Sequence, residues 1–140
     1  MADPATPAPG PTRQARCSCG QLTATTRGEP VRISMCHCLA CQRRTGSAFS
    51  AQARFPADQV TLAGQASQWS RTGDSGATAT FRFCPTCGAT LWWDFDAVPG
   101  VIAIPLGAFA DPTFPAPRFS VYEEFRHPWT GMPEGAEHMD

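Results

Sequence analysis

The sequence predicts a single, mainly β domain organised around metal-binding cysteines, and three observations support this prediction. The chain has 140 residues, a length that suits one domain. Its 14 prolines and 12 glycines interrupt the sequence so often that no window sustains a long helical period. Its seven cysteines fall into three short clusters, and sulfur atoms so closely spaced along a chain can point at one metal ion.

The expected elements follow the chain in order. Residues 1–14 are rich in proline and alanine without apolar periodicity, so we expect a disordered N-terminal arm there and a folded domain over 15–130. Short extended runs bounded by turn residues predict strands at 21–26, 31–35, 50–55, 67–71, 78–83, 90–95, 101–104 and 119–123. Only 38–45 and 56–60 are suited to a turn or two of helix. Residues 131–140 are expected to form a loose C-terminal tail.

Charge and hydropathy limit the partners that this protein can have. The 11 basic and 12 acidic residues give a net charge of −1, without the basic character of proteins that bind nucleic acid or anionic membranes. No stretch approaches the roughly 20 apolar residues that a membrane-spanning helix needs, and the N-terminus lacks a secretory pattern. Because a reducing cytosol keeps thiols available for metal, we expect a cytoplasmic protein with a small partner and no nucleic-acid or membrane partner. The oligomeric state is left open.

The segment F-C-P-T-C-G at 83–88 is the most specific single motif. It is typical of a zinc knuckle, in which proline stiffens the turn and glycine lets backbone amides point at the sulfurs. The alternative is a hairpin with two buried cysteines. We expect Cys84 and Cys87 to pair with Cys17 and Cys19, which also end in Cys-Gly. Four thiolates form a closed, structural zinc site that leaves no position for a substrate.

The remaining cluster, Cys36, Cys38 and Cys41, offers three thiolates from one short loop. Three ligands leave a second zinc with an open fourth position, where a thiol would be held as thiolate, so we expect these residues to be catalytic. An open site holds metal less tightly than a closed one, so we expect partial occupancy; the alternative is a redox trio in which two cysteines form a disulfide. His37 should face the opposite side and be hydrogen-bonded behind the loop.

Polar residues that follow the trio are candidates for binding substrate. Arg43 and Arg44 can offset the negative charge of a zinc ion with three thiolates and can pair with the carboxylates of an anionic thiol. The alternative for each arginine is a solvated surface position. Donors of the loop from Arg43 to Ser47 are expected to stabilise an oxyanion, so Arg43, Arg44 and Ser47 are predicted to bind substrate.

Taken together, these motifs resemble the glutathione-dependent formaldehyde-activating family. The resemblance rests on C-x-C-G, on C-H-C-x-x-C-x-R with a following glycine, on F-C-x-x-C-G and on R-x-P-W at 126–129, and it spans about 15–130. It implies a Mss4-like, β-tent fold, a structural zinc and a second zinc at the glutathione and formaldehyde site. The implied ligands are Cys17, Cys19, Cys84 and Cys87 for the structural zinc, and Cys36, Cys38 and Cys41 for the second. One departure is Ser120, where family members often have a histidine.

The resemblance implies a carbon–sulfur lyase or synthase that adds the thiol of glutathione to formaldehyde or cleaves the adduct. The alternative is a non-enzymatic zinc β-domain that binds a protein or a small thiol, and it would expose an apolar patch from Trp92, Trp93, Phe95 or Phe114. Adjacent strand residues face opposite ways, so we expect only one of the two tryptophans to face inward. A methionine sulfoxide reductase of the B type is excluded, because it needs a cysteine later in the chain than Cys87.

Overall fold

The computed structural model describes residues 10–139, and strands dominate this part of the chain. The strands are β1 Thr12–Arg16, β2 Thr23–Arg27, β3 Arg32–Cys36, β4 Ser50–Pro56, β5 Val60–Ala63, β6 Ser67–Thr72, β7 Thr78–Phe83, β8 Thr90–Phe95, β9 Val98–Pro105, β10 Phe119–Val121 and β11 Glu137–Met139. One α-helix, α1 Leu39–Thr45, and short 3-10 helices at Ala57–Gln59, Leu106–Phe109 and Glu123–Phe125 complete the described residues. No helix within residues 10–139 has the length and apolar character needed to cross a bilayer.

The strands form two sheets. A three-stranded sheet has the order β1-β2-β5, and an eight-stranded sheet has the order β11-β10-β3-β4-β9-β8-β7-β6. Neighbouring strands are antiparallel, except that β10 runs parallel to both β3 and β11. The parallel pairing places Val121 opposite Cys36, the last residue of β3. The C-terminal strands therefore lie directly beside the start of the second cysteine cluster.

The hydrophobic core lies between the two sheets. Its largest fully buried apolar side chains are Phe55, Leu91 and Ile104, which come from β4, β8 and β9 of the large sheet. The small sheet contributes Ala15 and Ala24, which are both fully buried. Strand residues two apart share a face, so every second residue of these strands reaches this core. Burial of this apolar surface is the main term that holds the two sheets together.

The other face of the large sheet is polar along β3 and β4. The residues of β3 and β4 that alternate with the core residues face this side. The antiparallel register sets Arg32 opposite Arg54, Ser34 opposite Gln52, and Cys36 opposite Ser50. Farther along the sheet, Ala103, Trp93 and Phe81 continue the same row through the register of β9, β8 and β7. This face carries the second cysteine cluster, as described below.

The structure confirms the predicted mainly β class, and each predicted strand overlaps an observed one. Predicted and observed strand ends agree within three residues, as at 101–104, where β9 spans Val98–Pro105. The predicted helical turns at 38–45 and 56–60 appear as α1 and as the 3-10 helix Ala57–Gln59. Local propensity and turn residues were sufficient for these elements because most of the strands are joined by short turns.

Three strands depart from the prediction. Residues 1–9 of the predicted arm lie outside the described residues, but its last three residues, 12–14, belong to β1, which is held by antiparallel pairing with β2. Residues 137–139 of the predicted loose tail form β11 on the edge of the large sheet. The third strand, β5, was not predicted, because only the helical turn at 56–60 was expected in this part of the sequence. Each strand is specified by the partner strand beside it, which local sequence does not reveal.

The core position of Phe55 generates a prediction. Phe55 is fully buried and packs against Phe109, with ring centroids 6.2 Å apart. Phe55→Ala should lower the free energy of unfolding by about 3–5 kcal/mol, because it leaves a cavity between the sheets. Phe55→Leu keeps most of the apolar volume and should cost less. Urea denaturation at a fixed metal concentration measures both, and an alanine variant as stable as the wild type would contradict the described core.

Candidate metal centres and their cavity

Four cysteine sulfurs from distant parts of the chain meet at one point. The sulfurs of Cys17, Cys19, Cys84 and Cys87 all lie within 4.8 Å of one another, an arrangement that could hold a metal ion. Cys19 lies 3.6 Å from Cys84, although 65 positions separate them in sequence. Each pair is followed by a glycine with positive φ, 86° at Gly20 and 81° at Gly88, a conformation that other residues adopt with strain. These two turns bring the cysteine pairs together.

Hydrogen bonds to sulfur stabilise this four-cysteine cluster. The backbone N–H of Leu22 donates to Cys17 Sγ at 3.3 Å, and Gln21 Nε2 donates to Cys84 Sγ at 3.0 Å. Burial raises the pKa of Cys84, but hydrogen bonds from Gln21 and from the backbone of Cys87 and Thr86 prevail and lower the pKa of Cys84 to about 6. A lowered pKa favours the thiolate, the form that binds metal.

The second cluster lies where β3 meets α1. Cys36 ends β3, Cys38 precedes α1 as its N-cap, and Cys41 lies in the first turn of the helix. Their sulfurs also lie within 4.8 Å of one another and could hold a metal ion. Cys38 Sγ accepts a hydrogen bond from the backbone N–H of Cys41 at 3.3 Å. Hydrogen bonds from Cys36 and Cys41 hold the pKa of Cys38 far below its ordinary value, while the bond with Cys38 raises the pKa of Cys36.

All three cysteines of this trio line a cavity of about 580 Å³ on the polar face of the large sheet. The cavity also contacts α1, the turn between β6 and β7, and the chain around the last 3-10 helix. Its charged and aromatic lining consists of Arg32, Arg44, Arg54, Arg71, Asp74, Phe81, Trp93, Phe95, Tyr122 and Phe125. The cavity therefore combines sulfur ligands, an excess of positive charge and an aromatic wall.

Arg44 is fixed between the trio and the aromatic wall. Its guanidinium carbon lies 4.3 Å from the ring centroid of Trp93 and 5.2 Å from that of Phe81, and its Nη2 donates to Ser50 Oγ at 2.8 Å. Burial lowers the pKa of Arg44, and the neighbouring sulfur of Cys41 opposes this shift. The cation is thus held in place beside the sulfurs before any ligand arrives.

Of the three residues predicted to bind substrate, only Arg44 lines this cavity. Arg43 precedes Arg44 on α1, and consecutive helix residues point about 100° apart. Arg43 is therefore exposed while Arg44 faces the cavity. Ser47 is also exposed and follows Gly46, whose φ of 70° ends α1. The cavity lining does not include either residue.

The aromatic residues considered for a binding patch are largely packed. Trp93 is 2% exposed and lines the cavity, while Trp92 on the opposite face packs against the core between the sheets. The alternation expected for the two tryptophans is therefore observed. Phe95 and Phe114 are half-buried. None of these four side chains contributes a fully exposed patch.

His37 lies behind the trio, as the alternation of side chains predicted. It is fully buried, and its Nε2 lies 3.1 Å from the hydroxyl oxygen of Ser120, which the parallel strand β10 brings to this position. Burial lowers the pKa of His37. Ser120 therefore supports the imidazole next to two candidate ligands.

Sequence reasoning missed several residues around the trio. Gln42 donates to the backbone oxygen of His37 at 2.9 Å, and its Oε1 lies 2.9 Å from His127 Nε2. These contacts tie the cysteine loop to the R-x-P-W segment. Arg32 and Arg54 were also missed, although alternation with Cys36 along predicted strands was a usable signal for them.

A larger cavity, of about 860 Å³, adjoins the four-cysteine cluster. Its lining includes Cys17 and Cys19, but Arg16 is its only charged residue in the described part of the chain. Four sulfurs also complete the coordination of a tetrahedral metal ion. The cavity beside the trio is therefore the better candidate for chemistry.

The hydrogen bond between Ser120 and His37 can be tested by mutation. Ser120→Ala leaves a buried imidazole nitrogen without this partner, so the free energy of unfolding should fall by about 1–3 kcal/mol. Ser70→Ala is the matched control, because it removes a hydroxyl that lies 2.9 Å from Thr80 Oγ1 at an exposed position where water replaces it. Chemical denaturation of both variants makes the comparison. Equal losses for the two serines would argue against a supporting role for Ser120.

Comparison with known proteins agrees with this architecture. A solved structure of a Rhodobacter sphaeroides protein is 17% identical to this chain, with a TM-score of 0.56 over 73% of this chain and 91% of that chain, which supports the fold alone. No curated protein gives a significant match. The family model described as glutathione-dependent formaldehyde-activating enzyme matches residues 12–125, which include all seven cysteines. This chain belongs to the glutathione-dependent formaldehyde-activating family.

Proposed function

We propose that this protein is a zinc-dependent carbon–sulfur lyase or synthase, which joins an anionic thiol such as glutathione to a small aldehyde such as formaldehyde, or cleaves the adduct. The observation that carries the proposal is the position of Cys36, Cys38 and Cys41, whose sulfurs converge and line a cavity beside Arg44. The family description names glutathione and formaldehyde. Because this chemistry needs reduced thiols, we also place the protein in the cytoplasm.

The four-cysteine cluster suits a structural zinc ion. Tetrahedral zinc with bonds of about 2.3 Å to sulfur separates its ligands by about 3.8 Å. The sulfur of Cys19 lies 3.6 Å from Cys17 and 3.6 Å from Cys84, close to that separation. Cys17, Cys19, Cys84 and Cys87 would hold this ion and leave no position for a substrate. Its role is therefore to hold the fold.

The trio also suits zinc, since thiolates are preferred zinc ligands and three of them leave one position open. A zinc ion bound by Cys36, Cys38 and Cys41 would stabilise an incoming thiol as thiolate. Ser120 and Gln42 hold the loop between these ligands through His37, so the three sulfurs keep their arrangement.

The proposed reaction forms one carbon–sulfur bond. The thiolate sulfur attacks the aldehyde carbon, the π electron pair of the carbonyl moves to oxygen, and the proton lost by the thiol ends on that oxygen. The product is an S-hydroxymethyl thioether when the aldehyde is formaldehyde. Cleavage is the same sequence in reverse. No oxidant or reductant is needed.

Arg44 is the donor best placed to assist this step. A guanidinium that donates to the carbonyl oxygen stabilises the negative charge that develops there in the transition state. Its stacking on Trp93 fixes the plane of the guanidinium, so little reorganisation is required. The aromatic wall, Phe81 and Trp93, limits access of water to the reacting carbon.

Metal analysis tests the division into two sites. We expect the purified chain to carry up to two zinc ions, with the second removed first by a chelator because its site is open. Cys38→Ser should remove one zinc and leave the fold intact. Cys84→Ser should lower the melting temperature strongly, because structural zinc binding contributes about 10–16 kcal/mol in small domains. Elemental analysis with thermal denaturation measures both, and a Cys84→Ser variant as stable as the wild type would contradict the assignment.

Exchange NMR tests the activity. Zinc-loaded protein should accelerate the exchange of glutathione with its formaldehyde adduct beyond the rate without protein. Cys38→Ser should return the rate to the uncatalysed value, and Arg44→Gln should lower it about tenfold or more through loss of an oxyanion donor. Ser70→Ala, which lies outside the cavity lining, should leave the rate unchanged.

Two outcomes of this experiment would decide against the proposal. A zinc-loaded protein that gives no acceleration would remove the lyase assignment. If glutathione nevertheless binds, the non-enzymatic zinc β-domain becomes the better description. Acceleration that persists in Cys38→Ser would instead locate the chemistry outside the trio.

A further inference from the structure

We infer that Arg32 and Arg54 form a carboxylate-binding subsite at the end of the cavity remote from the cysteine trio, and that this pair selects ligands bearing a carboxylate well separated from the reacting sulfur. The inference deepens the proposed function, because it rests on a thiol occupying the trio and names the residues that choose among thiols. Neither arginine belongs to the motifs from which the site was predicted.

The first observation is that the two arginines are cross-strand neighbours. The register of β3 and β4 sets Arg32 directly opposite Arg54, and both line the cavity. Like charges directly opposite on antiparallel strands destabilise a sheet. Burial lowers the pKa of Arg54, and the charge of Arg32 lowers it further. The repulsion between these two facing cations therefore lowers the folding stability of the ligand-free protein.

The second observation is that no carboxylate within residues 10–139 compensates this pair. The ion pairs among the described residues involve neither arginine. Asp74 is the only acidic residue in the described lining of the cavity, and it is exposed on the turn between β6 and β7. An anion supplied by a ligand would relieve the repulsion between the two guanidinium groups.

The third observation is a pair of orphaned donors. The Nε atoms of Arg32 and Arg54 are both buried, and neither has a hydrogen-bond partner among residues 10–139. Buried donors without partners are rare in native proteins, and they often mark a functional site. Arginine presents its donors as a planar fork that matches the two oxygens of a carboxylate. Both residues line the cavity, and the described part of the chain leaves donors of each unsatisfied, which suits a ligand of this chemistry.

The fourth observation is that both guanidinium groups are held in place. Arg32 stacks on Phe119 with its guanidinium carbon 4.5 Å from the ring centroid, and Arg54 lies 5.5 Å from the centroid of Phe95. Arg32 Nη2 also donates to the sulfur of Met139 at 3.7 Å. Aromatic stacking fixes the planes without using all the donors, so the remaining N–H groups stay available for a ligand.

The spacing along β3 sets the size of the ligand. Arg32 begins this strand and Cys36 ends it, so the subsite and the trio are about 13 Å apart along the backbone. A thiol that carries its carboxylate on the adjacent carbon spans this separation less readily than a longer one. A thiol of peptide length, with a carboxylate at the far end, can bridge them. The distance along β3 from Arg32 to Cys36 would therefore favour substrates of matching length.

Calorimetric titration of the zinc-loaded full chain tests this subsite. The probes are S-methylglutathione, which keeps both carboxylates but has no thiol, and its diester, in which the carboxylates are blocked. We expect the wild type to bind the acid at least tenfold more tightly than the diester. Arg32→Gln and Arg54→Gln should each weaken binding of the acid at least tenfold and leave the diester unaffected. Arg118→Gln, an exposed arginine outside the cavity lining, is the charge-matched control and should bind as the wild type does.

Lysine variants separate a binding role from a structural one. Arg32→Lys and Arg54→Lys keep the charge but lose the planar fork, so they should bind the acid with intermediate affinity while melting near the wild-type temperature. If a glutamine variant fails to fold, the lysine variant at the same position still measures how much the arginine contributes to binding of the acid. Equal affinity of the wild type for acid and diester would overturn the inference, and so would folded glutamine and lysine variants that bind the acid normally.

Failure of this inference and failure of the proposed function give different results. S-methylglutathione has no thiol to exchange, so the loss of its binding in the Arg32 and Arg54 variants reports the arginine pair independently of catalysis. If the acid is preferred over the diester but thiol exchange is not accelerated, the carboxylate subsite stands and the lyase assignment falls. If exchange is accelerated but acid and diester bind alike, the lyase assignment stands and the role of Arg32 and Arg54 is rejected.

Discussion

The alternation of side chains along β3 and β4 separates the core of this protein from its candidate chemistry. Phe55 packs between the sheets while its neighbour Arg54 faces the cavity, and Ile33 is buried beside Arg32. A shift of the strand register by one residue would drive charged groups into the core and withdraw Cys36 from the cavity. The hydrophobic core thus fixes the register, and the register fixes which polar groups meet the cysteine trio. The alternation of side chains along these strands therefore sets both the packing of the core and the lining of the cavity.

Under the proposed function, the two cysteine clusters divide the work between fold and chemistry. Cys19 and Cys84 are joined across 65 positions of sequence, so metal bound there closes most of the domain into one loop. The trio is local, coming from the end of one strand and the first turn of one helix. Metal bound by the trio constrains little of the chain. Loss of metal from the trio would therefore be expected to disturb the fold less than loss of metal from the four-cysteine cluster.

The sequence was sufficient for the features that depend on local spacing. Cysteine spacing predicted both clusters, and strand periodicity predicted that His37 would turn away from the trio. Long-range pairing was not accessible: β1, β11 and the approach of Ser120 to His37 depend on partners far along the chain. Proximity to the trio in sequence predicted Arg44, which lines the cavity, together with Arg43 and Ser47, which do not. The arginines of β3 and β4 reach the same cavity through sheet register, which one sequence does not specify.

The position of β11 has a practical consequence. This strand lies at the edge of the large sheet, and its last residue, Met139, lines the cavity and accepts a hydrogen bond from Arg32. Displacement of β11 from β10 would therefore remove part of the cavity wall together with a contact of Arg32. Immobilisation for binding studies is better directed to the small sheet, whose strands β1, β2 and β5 lie outside the described lining of this cavity.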